Sequence, residues 1–397
     1  DLVEFLNDKD QSTTLSNKQS IKTHTIGFAL DRNSSARRFI TDVARVGGGD
    51  VYDAQNAGDL VSVFENILTD VKNDPTSFVA PALSTNAFNR LLSRNEVYFG
   101  LFTPSLARAW HGNVKKYGIC IDDTKGCTLA GIIDGNKLDA IDATTNKFKD
   151  TSKDFWSNSP GSQSTDGQKT ELGGAGHEIV DFADQQLFTD VNNSGSASNG
   201  QLLSGSGFKL TASTWNSSEL STFRSAICPT PSTSGGSDCE TRMLWLLGKS
   251  AVDADTDINT NQRWSVNDVL HSSPVVITYG GTDTNNDGNV DKFFDKIVYG
   301  TNDGSLHFVN GLTGVEEWRY MPSDFWGQQQ SLFTNAKGAH SYGLDVTPTL
   351  QIIDKNQDGR IVTAQGDKVV VYLASRRGSN KIYALDLSGD VTSDNES

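Results

Sequence analysis

A short stretch of the chain, DTNNDGNVDKFFD at residues 283–295, places acidic and amide side chains at every second position. They are Asp283, Asn285, Asp287, Asn289 and Asp291. Carboxylates this close repel one another unless a cation lies between them, and calcium is the hard cation that oxygen-rich loops of this spacing bind. The pattern therefore predicts a calcium site built from one continuous loop.

Counted from Asp283, the spacing matches the first nine positions of an EF-hand loop. Gly288 falls at position 6, where the chain must turn sharply. Position 12 is Phe294, where an EF-hand has a bidentate glutamate, so Asp295 or a water molecule would complete the coordination sphere. Strand-like runs flank the loop, so we predict an EF-hand-like ligand run between strands. The alternative is a solvated acidic turn, because Asp, Asn and Gly are common turn residues.

A second run, DKNQDGRI, repeats the start of this pattern. Asp354, Asn356 and Asp358 stand at positions 1, 3 and 5, followed by Gly359 and Arg360. Positions 9 and 12 carry no carboxylate, so only the first half of a site is visible. A second, weaker metal loop and a plain acidic loop both stay open here.

The charge balance limits the partners. The 397 residues include 34 Lys and Arg against 49 Asp and Glu, a formal net charge of −15. Nucleic acids bind clustered cations, so we do not expect one as the main partner. No apolar run approaches the roughly 18 residues of a membrane span, so we predict none in this chain. The chain begins at Asp1 without a signal peptide or initiator Met, and we interpret it as a piece of a longer precursor.

Four cysteines form two local pairs in polar loops. We predict the disulfides Cys120–Cys127 and Cys228–Cys239, which would indicate an exported protein. Four reduced thiols are the alternative. The six histidines lack metal-ligand spacing and no G-x-S-x-G motif is present, so we predict no catalytic residues.

The chain changes character near residue 80. Residues 1–80 alternate strand and helix patterns, including the amphipathic run Ser35–Val46, and predict the end of a doubly wound α/β unit. From residue 81 to 397, short β-rich runs alternate with Gly, Asn, Asp and Ser clusters, and TNDG predicts a hairpin turn. We interpret the Ser- and Gly-rich stretch at about 150–240 as a loop-rich insertion. Trp156 and Trp326 lie in loop-like sequence and are expected near the surface.

Two segments favour a β-propeller over a sandwich or barrel. KIVYGTNDGSLHFVNGLTGVEEWRY and KVVVYLASRRGSNKIYALDLSG share one order: apolar strand, polar turn, then a strand with an aromatic residue. The predicted fold is therefore mainly β, a propeller over residues 81–397 that we expect to be incomplete at its C-terminal end.

These motifs, in this order, resemble the PilY family of type IV pilus biogenesis factors and tip-associated adhesins. WHGNVKKYGI is similar to the family's Trp-x-Gly-Asn-x-Lys-Lys-Tyr motif at the start of its propeller. NDVLHSSPVV resembles its Gly-Asp-x-x-His-Ser-x-Pro strand, with Asn267 in place of the glycine, and SRRGSNKIYALDLS resembles another signature but departs from it at Ser379. VARVGGGDVYDAQNAGDL resembles the last turn and helix of a von Willebrand factor type A domain, although the Asp-x-Ser-x-Ser metal run of such domains is missing from this sequence.

The resemblance implies a PilY-type propeller with quinoprotein-like blades, preceded by an α/β remnant of a von Willebrand factor type A domain. It implies a calcium-binding, non-enzymatic protein exported through the periplasm to the pilus tip at the cell surface. There it would promote pilus assembly or oppose retraction and contribute to adhesion, with minor pilins or the tip complex and a host or surface receptor as partners. Calcium would order the 283–295 loop, or else be a permanent structural ion.

A quinone-dependent periplasmic propeller oxidoreductase is the alternative. GLTGVEEW resembles the Thr-Gly-x-x-x-Trp blade motif of those enzymes. In them the tryptophan packs between blades, so the motif indicates architecture more than redox chemistry. The adjacent cysteine pair of many such enzymes is missing from this sequence.

Overall fold

The chain divides into two compact units, Asp1–Thr76 and Ser77–Ser397, each described here by itself. The computed structural model describes residues 2–9, 11, 20–30, 34–61, 63–64, 80–85, 93–122, 124, 126–143, 147–158, 165–179, 186–189, 221–228, 237–248, 263–286, 290, 292–389 and 391. Within these ranges, no helix has the length and apolar character needed to cross a membrane.

The first unit alternates helix and strand. Its elements are α1 (Leu2–Asp8), β1 (Thr23–Phe28), α2 (Ser35–Val46) and β2 (Gly48–Ala54), with further helix at 57–61 and 63–64. β1 and β2 are parallel and α2 connects them, as in a βαβ unit. Ser34 caps α2, because its hydroxyl accepts a hydrogen bond from the Arg37 backbone N–H. Membership of the von Willebrand factor type A fold stays a prediction.

The second unit is mainly β. Its strands are β3 (Ala80–Thr85), β4 (Ser93–Thr103), β5 (His111–Ile119), β6 (Ile132–Ile133), β7 (Leu187–Thr189), β8 (Val275–Thr282), β9 (Lys292–Gly300), β10 (Leu306–Asn310), β11 (Glu316–Met321), β12 (Thr349–Ile353), β13 (Lys368–Ala374) and β14 (Ile382–Asp386). Its α-helices are α3 (Gly174–His177), α4 (Ser221–Ile227), α5 (Ser237–Leu246) and α6 (Gln329–Thr334). Short 3₁₀ turns lie at Trp156–Asn158, Ser323–Phe325 and Thr363–Gln365.

These strands form three sheets in chain order. β3 to β6 form one antiparallel meander, β8 to β11 a second, and β12 to β14 a third. β7 adds to the second sheet by pairing parallel with β11. The described residues make open sheets and no closed propeller, so the mainly β class is confirmed and the propeller stays a prediction.

The second sheet is covered on both faces. Along β9, Val298 lies in a buried cluster with Val371 of β13. The neighbouring Ile297 points to the opposite face and lies in another cluster with Val114 of β5. Neighbouring residues of β9 thus pack on opposite faces, one against the third sheet and the other against the first sheet. This explains why KIVYG is apolar without alternation.

The TNDG hairpin forms as predicted. It joins β9 to β10, and Gly304 has a φ of 91°, in the left-handed region that favours glycine. A Cβ at this position would come within 2.3 Å of the Phe325 side chain. Gly304 is therefore required both by the turn and by the close approach of Phe325.

Both predicted disulfides are present. The Cα atoms are 6.1 Å apart in Cys120–Cys127 and 5.3 Å apart in Cys228–Cys239. The second bridge lies in the buried cluster between the second and third sheets, where it connects the end of α4 to α5.

The expectation that two tryptophans lie near the surface is wrong. Trp156 is 2% exposed and its indole N–H donates to the Gly311 carbonyl at 3.2 Å. Trp326 is 3% exposed and donates to the Thr189 hydroxyl at 2.6 Å. The residues next to these tryptophans in the sequence are polar and suggest a surface position. The burial results from contacts with residues far away in the sequence, at the second sheet.

Candidate metal centre

The first acidic loop connects β8 to β9. Thr282 and Lys292, the residues on either side of this loop, pair with each other at its base. Asp283, Asn285 and Asn286 are described at its start. Four predicted loop residues lie outside the described residues: Asp287, Gly288, Asn289 and Asp291.

The described start of this loop has the donors that calcium prefers. Asp283 is half-buried, Asn285 is exposed, and both lie in one turn. Asn286, the fourth residue of the run, has a left-handed φ of 58°. Carboxylate and amide oxygens at the start of a tight turn fit calcium by their chemistry.

Asp295 lies in the strand and not in the loop. It stands opposite Thr278, whose hydroxyl donates to the Asp295 carboxylate at 2.8 Å. Phe294, at position 12, is 3% exposed and packs in the core. A calcium ion in this loop would therefore rely on Asp291 or water, more than on Asp295, to complete its coordination.

The second acidic loop, which connects β12 to β13, is wound around Asp354. One carboxylate oxygen accepts the backbone N–H of Gln357 at 2.8 Å and the other accepts that of Gly359 at 2.9 Å. Gln357 and Gly359 have left-handed φ angles of 59° and 79°. The Asp-x-Asn-x-Asp-Gly run thus folds as one tight turn with Asp354 inside it.

Hydrogen bonds between side chains close this second loop. The amide nitrogen of Asn356 donates to the Asp358 carboxylate at 2.8 Å and to the Gln365 carbonyl oxygen at 2.7 Å. Asp358 also accepts the backbone N–H of Arg360 at 2.9 Å. An N–H group between two oxygens satisfies acceptors that a cation would otherwise bind, so the loop holds its shape through its own residues. The second metal site stays a prediction.

Asp367, which the sequence reasoning missed, fastens the base of the second loop. Its carboxylate oxygens accept the backbone N–H groups of Lys355 at 2.9 Å and Val362 at 3.0 Å. These two hydrogen bonds lower the pKa of Asp367. Its position directly before β13 was the feature of the sequence that could have indicated this role.

No group of three or more His, Cys, Asp or Glu side chains is arranged around a metal position in the part of the chain that the structure describes. Asp287 and Asp291 are outside that part, so the first loop as a calcium site is still a prediction. In the second loop, the side chains that face one another are the carboxylate of Asp358 and the amides of Asn356 and Gln365.

The WHGNVKKY motif has a structural role in β5. The ammonium of Lys115 lies 3.1 Å from the Asp166 carboxylate, and both side chains are almost fully buried. The amide of Asn113 donates to the carbonyls of Thr170 and Gly173, at 2.8 Å each. These contacts attach residues 165–179 to the first sheet.

Asp154 completes this buried network. It accepts the backbone N–H groups of Trp156 at 2.7 Å and Gly174 at 2.6 Å. Burial, followed by the neighbouring Asp166 carboxylate, raises the pKa of Asp154 to about 7. Burial also lowers the pKa of Lys115, an effect that Asp166 and Asp154 oppose. Sequence reasoning missed Asp154 and Asp166, because nothing near them in the sequence identifies their partner.

Two histidine–aspartate pairs, each with a buried carboxylate, share one amide. His340 lies 2.8 Å from Asp268, and His271 lies 2.8 Å from Asp345. The amide of Asn302 donates to both carboxylates, at 2.6 and 3.3 Å. The Asp and His of the Gly-Asp-x-x-His-Ser-x-Pro motif thus connect three loops of the second unit.

A partial similarity to one curated protein bears on function. "Type IV pilus biogenesis factor PilY1" of Pseudomonas aeruginosa (strain UCBPP-PA14) is 28% identical to this chain over 160 residues. The match covers 36% of this chain and 13% of that protein. No family model matches the chain, and no solved structure matches it. The similarity supports a PilY-like relationship over that part of the chain.

Proposed function

We propose that this chain is a calcium-binding part of an exported protein at the tip of type IV pili. There it promotes pilus assembly or opposes retraction and contributes to adhesion. The observation that carries the proposal is the 28% identity over 160 residues to a type IV pilus biogenesis factor. Minor pilins or the tip complex, and a host or surface receptor, are the proposed partners.

The stacking of the sheets supports a propeller as the scaffold. Three antiparallel meanders follow one another along the chain, and buried clusters join the first to the second and the second to the third. Successive four-stranded meanders that pack face to face are the blades of a propeller. We propose that residues 81–397 form part of one.

Calcium would act on the loop between β8 and β9. Asp283, Asp287 and Asp291 place three carboxylates in nine residues, and their mutual repulsion favours an open loop. A calcium ion offsets that repulsion and fixes the loop on the rigid second sheet. The order of this loop would then follow the calcium concentration outside the cell.

We infer a non-enzymatic role over the quinone-dependent alternative. Trp318, the tryptophan of the blade motif, stacks on Phe308 with ring centroids 4.5 Å apart. Phe188 meets the same indole edge-on at 6.2 Å. This packing accounts for the motif without a cofactor. Pyrroloquinoline quinone added to the protein should bring no bound absorbance, and retained absorbance after gel filtration would favour the enzyme.

The function is tested in the source organism with Asp283→Ala and Asp287→Ala, and with Asp150→Ala as a control for an exposed acid outside the loops. We expect both loop variants to reduce surface pili and attachment at unchanged protein abundance, while the control behaves as the parent. Normal pili and normal attachment in both loop variants would refute the proposed role of the loop.

A further inference from the structure

Two arginines of the second unit contact one loop, residues 338–343, and a third arginine is adjacent to one of them in the chain. Arg377 donates to the Tyr342 hydroxyl at 2.7 Å and lies over its ring at 4.8 Å. Arg376 precedes it and is exposed. The guanidinium of Arg108 would lie 3.1 Å from a Cβ placed on Gly338. Within the described residues, none of the three arginines forms an ion pair with a carboxylate.

The backbone holds the three arginines at this loop. The N–H groups of Gly338 and Ser341 donate to the carbonyls of Leu106 and Arg108, at 3.1 Å each. On the other side, a Cβ on Gly378 would lie 2.5 Å from the Gly343 carbonyl, so the turn that carries Arg376 and Arg377 packs directly on the loop. The five Cα–Cα steps from residue 338 to residue 343 span at most about 18 Å, a distance that one short peptide can bridge.

The buried ring of His340 supports the loop from inside the protein. The His340 side chain is 7% exposed and its Nε2 is bonded to Asp268. Its Nδ1, on the side away from Asp268, has no hydrogen-bond partner. The ring lies tilted against that of Trp110, with the centroids 3.9 Å apart, and meets Tyr342 edge-on at 4.7 Å. These ring contacts hold Tyr342 beside Arg377.

The charges select the ligand class. The chain has a net charge of −15, whereas this loop is flanked by three arginines that form no ion pair with a carboxylate of the described residues. The described carboxylates Asp268, Asp345 and Asp324 are already paired with His340, His271 and Lys381. Guanidinium groups bind carboxylates in a planar, two-bond geometry. A long polyanion would also meet the acidic remainder of the surface, whereas a short acidic segment stays within about one Debye length, 8 Å, of the arginines.

We infer that the surface formed by Arg108, His340, Tyr342, Arg376 and Arg377, the arginine surface, binds a short protein segment with two or more neighbouring carboxylates. Arg376 and Arg377 bind the carboxylates, and Tyr342 packs against the segment. The inference is independent of calcium and of the 283–291 loop, so it stands or falls separately from the proposed function.

The test uses the full 397-residue chain and a fluorescein-labelled heptapeptide with four glutamates, followed by fluorescence anisotropy at physiological salt. Arg376→Ala, which changes an exposed side chain, should weaken binding about tenfold, as expected for loss of one charge-assisted hydrogen bond. Adding Arg377→Ala should weaken it further. Arg376→Lys keeps the charge but loses the planar geometry, so its binding should be intermediate.

The control is Lys169→Ala with Lys368→Ala, which removes two exposed positive charges elsewhere in the same unit and should leave the affinity unchanged. Equal weakening in the control and in Arg376→Ala would show non-specific attraction and overturn the inference. Lack of peptide binding by the parent would overturn it as well. If Arg376→Ala lost binding to a heparin fragment or to phosphatidylglycerol vesicles but kept its binding to the peptide, the surface would belong to another ligand class and the inference would be wrong.

Discussion

Asn286 and Gln357 have nearly the same left-handed backbone, with φ angles of 58° and 59°, and each is the fourth residue of its acidic loop. Residues other than glycine enter this region at a cost, which is lower for Asn than for Gln. The same Asp-x-Asn-x-Asp-Gly order is thus accompanied by a left-handed turn residue at the fourth position of both loops. In the second loop, Asp354 stabilises that turn by accepting two backbone N–H groups. We expect Asp283 to do the same in the first.

Gly359→Ala tests whether the turn needs glycine at position 6. Its φ of 79° is unfavourable for alanine, so the free energy of unfolding should fall by about 1–2 kcal/mol. Gly327→Ala is the matched control, because nothing lies within 4 Å of a Cβ there. It should change stability by less than about 0.5 kcal/mol. Urea unfolding measures the stability of both variants. Equal effects would show that the turn in the second loop does not require glycine at position 6.

Asp154→Asn tests the buried network under β5. Because the pKa of Asp154 is raised to about 7, the folded state binds more protons than the unfolded state between about pH 4 and pH 7. Stability from this group is therefore present at low pH and lost as the pH rises through about 7. Each unit of pKa displacement corresponds to about 1.4 kcal/mol.

Urea unfolding at pH 5 and pH 8 should show a larger loss of stability in the parent than in Asp154→Asn. Asp139→Asn is the control, since hydrogen bonds from Thr128 lower the pKa of Asp139 and so act only at more acidic pH. Parallel pH profiles for the parent and Asp154→Asn would show that Asp154 does not titrate in this range.

Trp156→Ala tests whether the segment at 150–158 is part of the core. The indole packs 5.7 Å from the Tyr98 ring and is bonded to Gly311, so its loss should cost about 3–5 kcal/mol. Leu129→Ala, at a side chain that is 60% exposed, should cost less than about 0.5 kcal/mol. If Trp156→Ala lowered the free energy of unfolding by less than about 1 kcal/mol, the segment would be a surface loop, as its sequence suggests.

Local patterns predicted local structure well. Apolar periodicity located α2 and β9, Asp303-Gly304 located a hairpin, and cysteine spacing located both disulfides. Each of these features depends on residues close together in the chain.

Contacts between distant residues escaped prediction. Trp156 meets Gly311 across 155 residues, and Lys115 meets Asp166 across 51. Such partners depend on how the sheets stack, and the local pattern does not specify stacking. Asp295 is a further example. It follows the acidic loop closely in the sequence and was expected to contribute to the metal site, but strand pairing places it opposite Thr278.

Calcium binding by the loop at residues 283–291 is the physical basis of the proposed function. Thermal unfolding of the chain with and without calcium, beside Asp287→Ala and the control Asp150→Ala, tests it most directly. At calcium about 100-fold above its dissociation constant, one site stabilises the folded state by about 2.7 kcal/mol. We expect a clear rise in melting temperature for the parent and the control and little or none for Asp287→Ala. An equal rise in all three, or none in the parent, would contradict it.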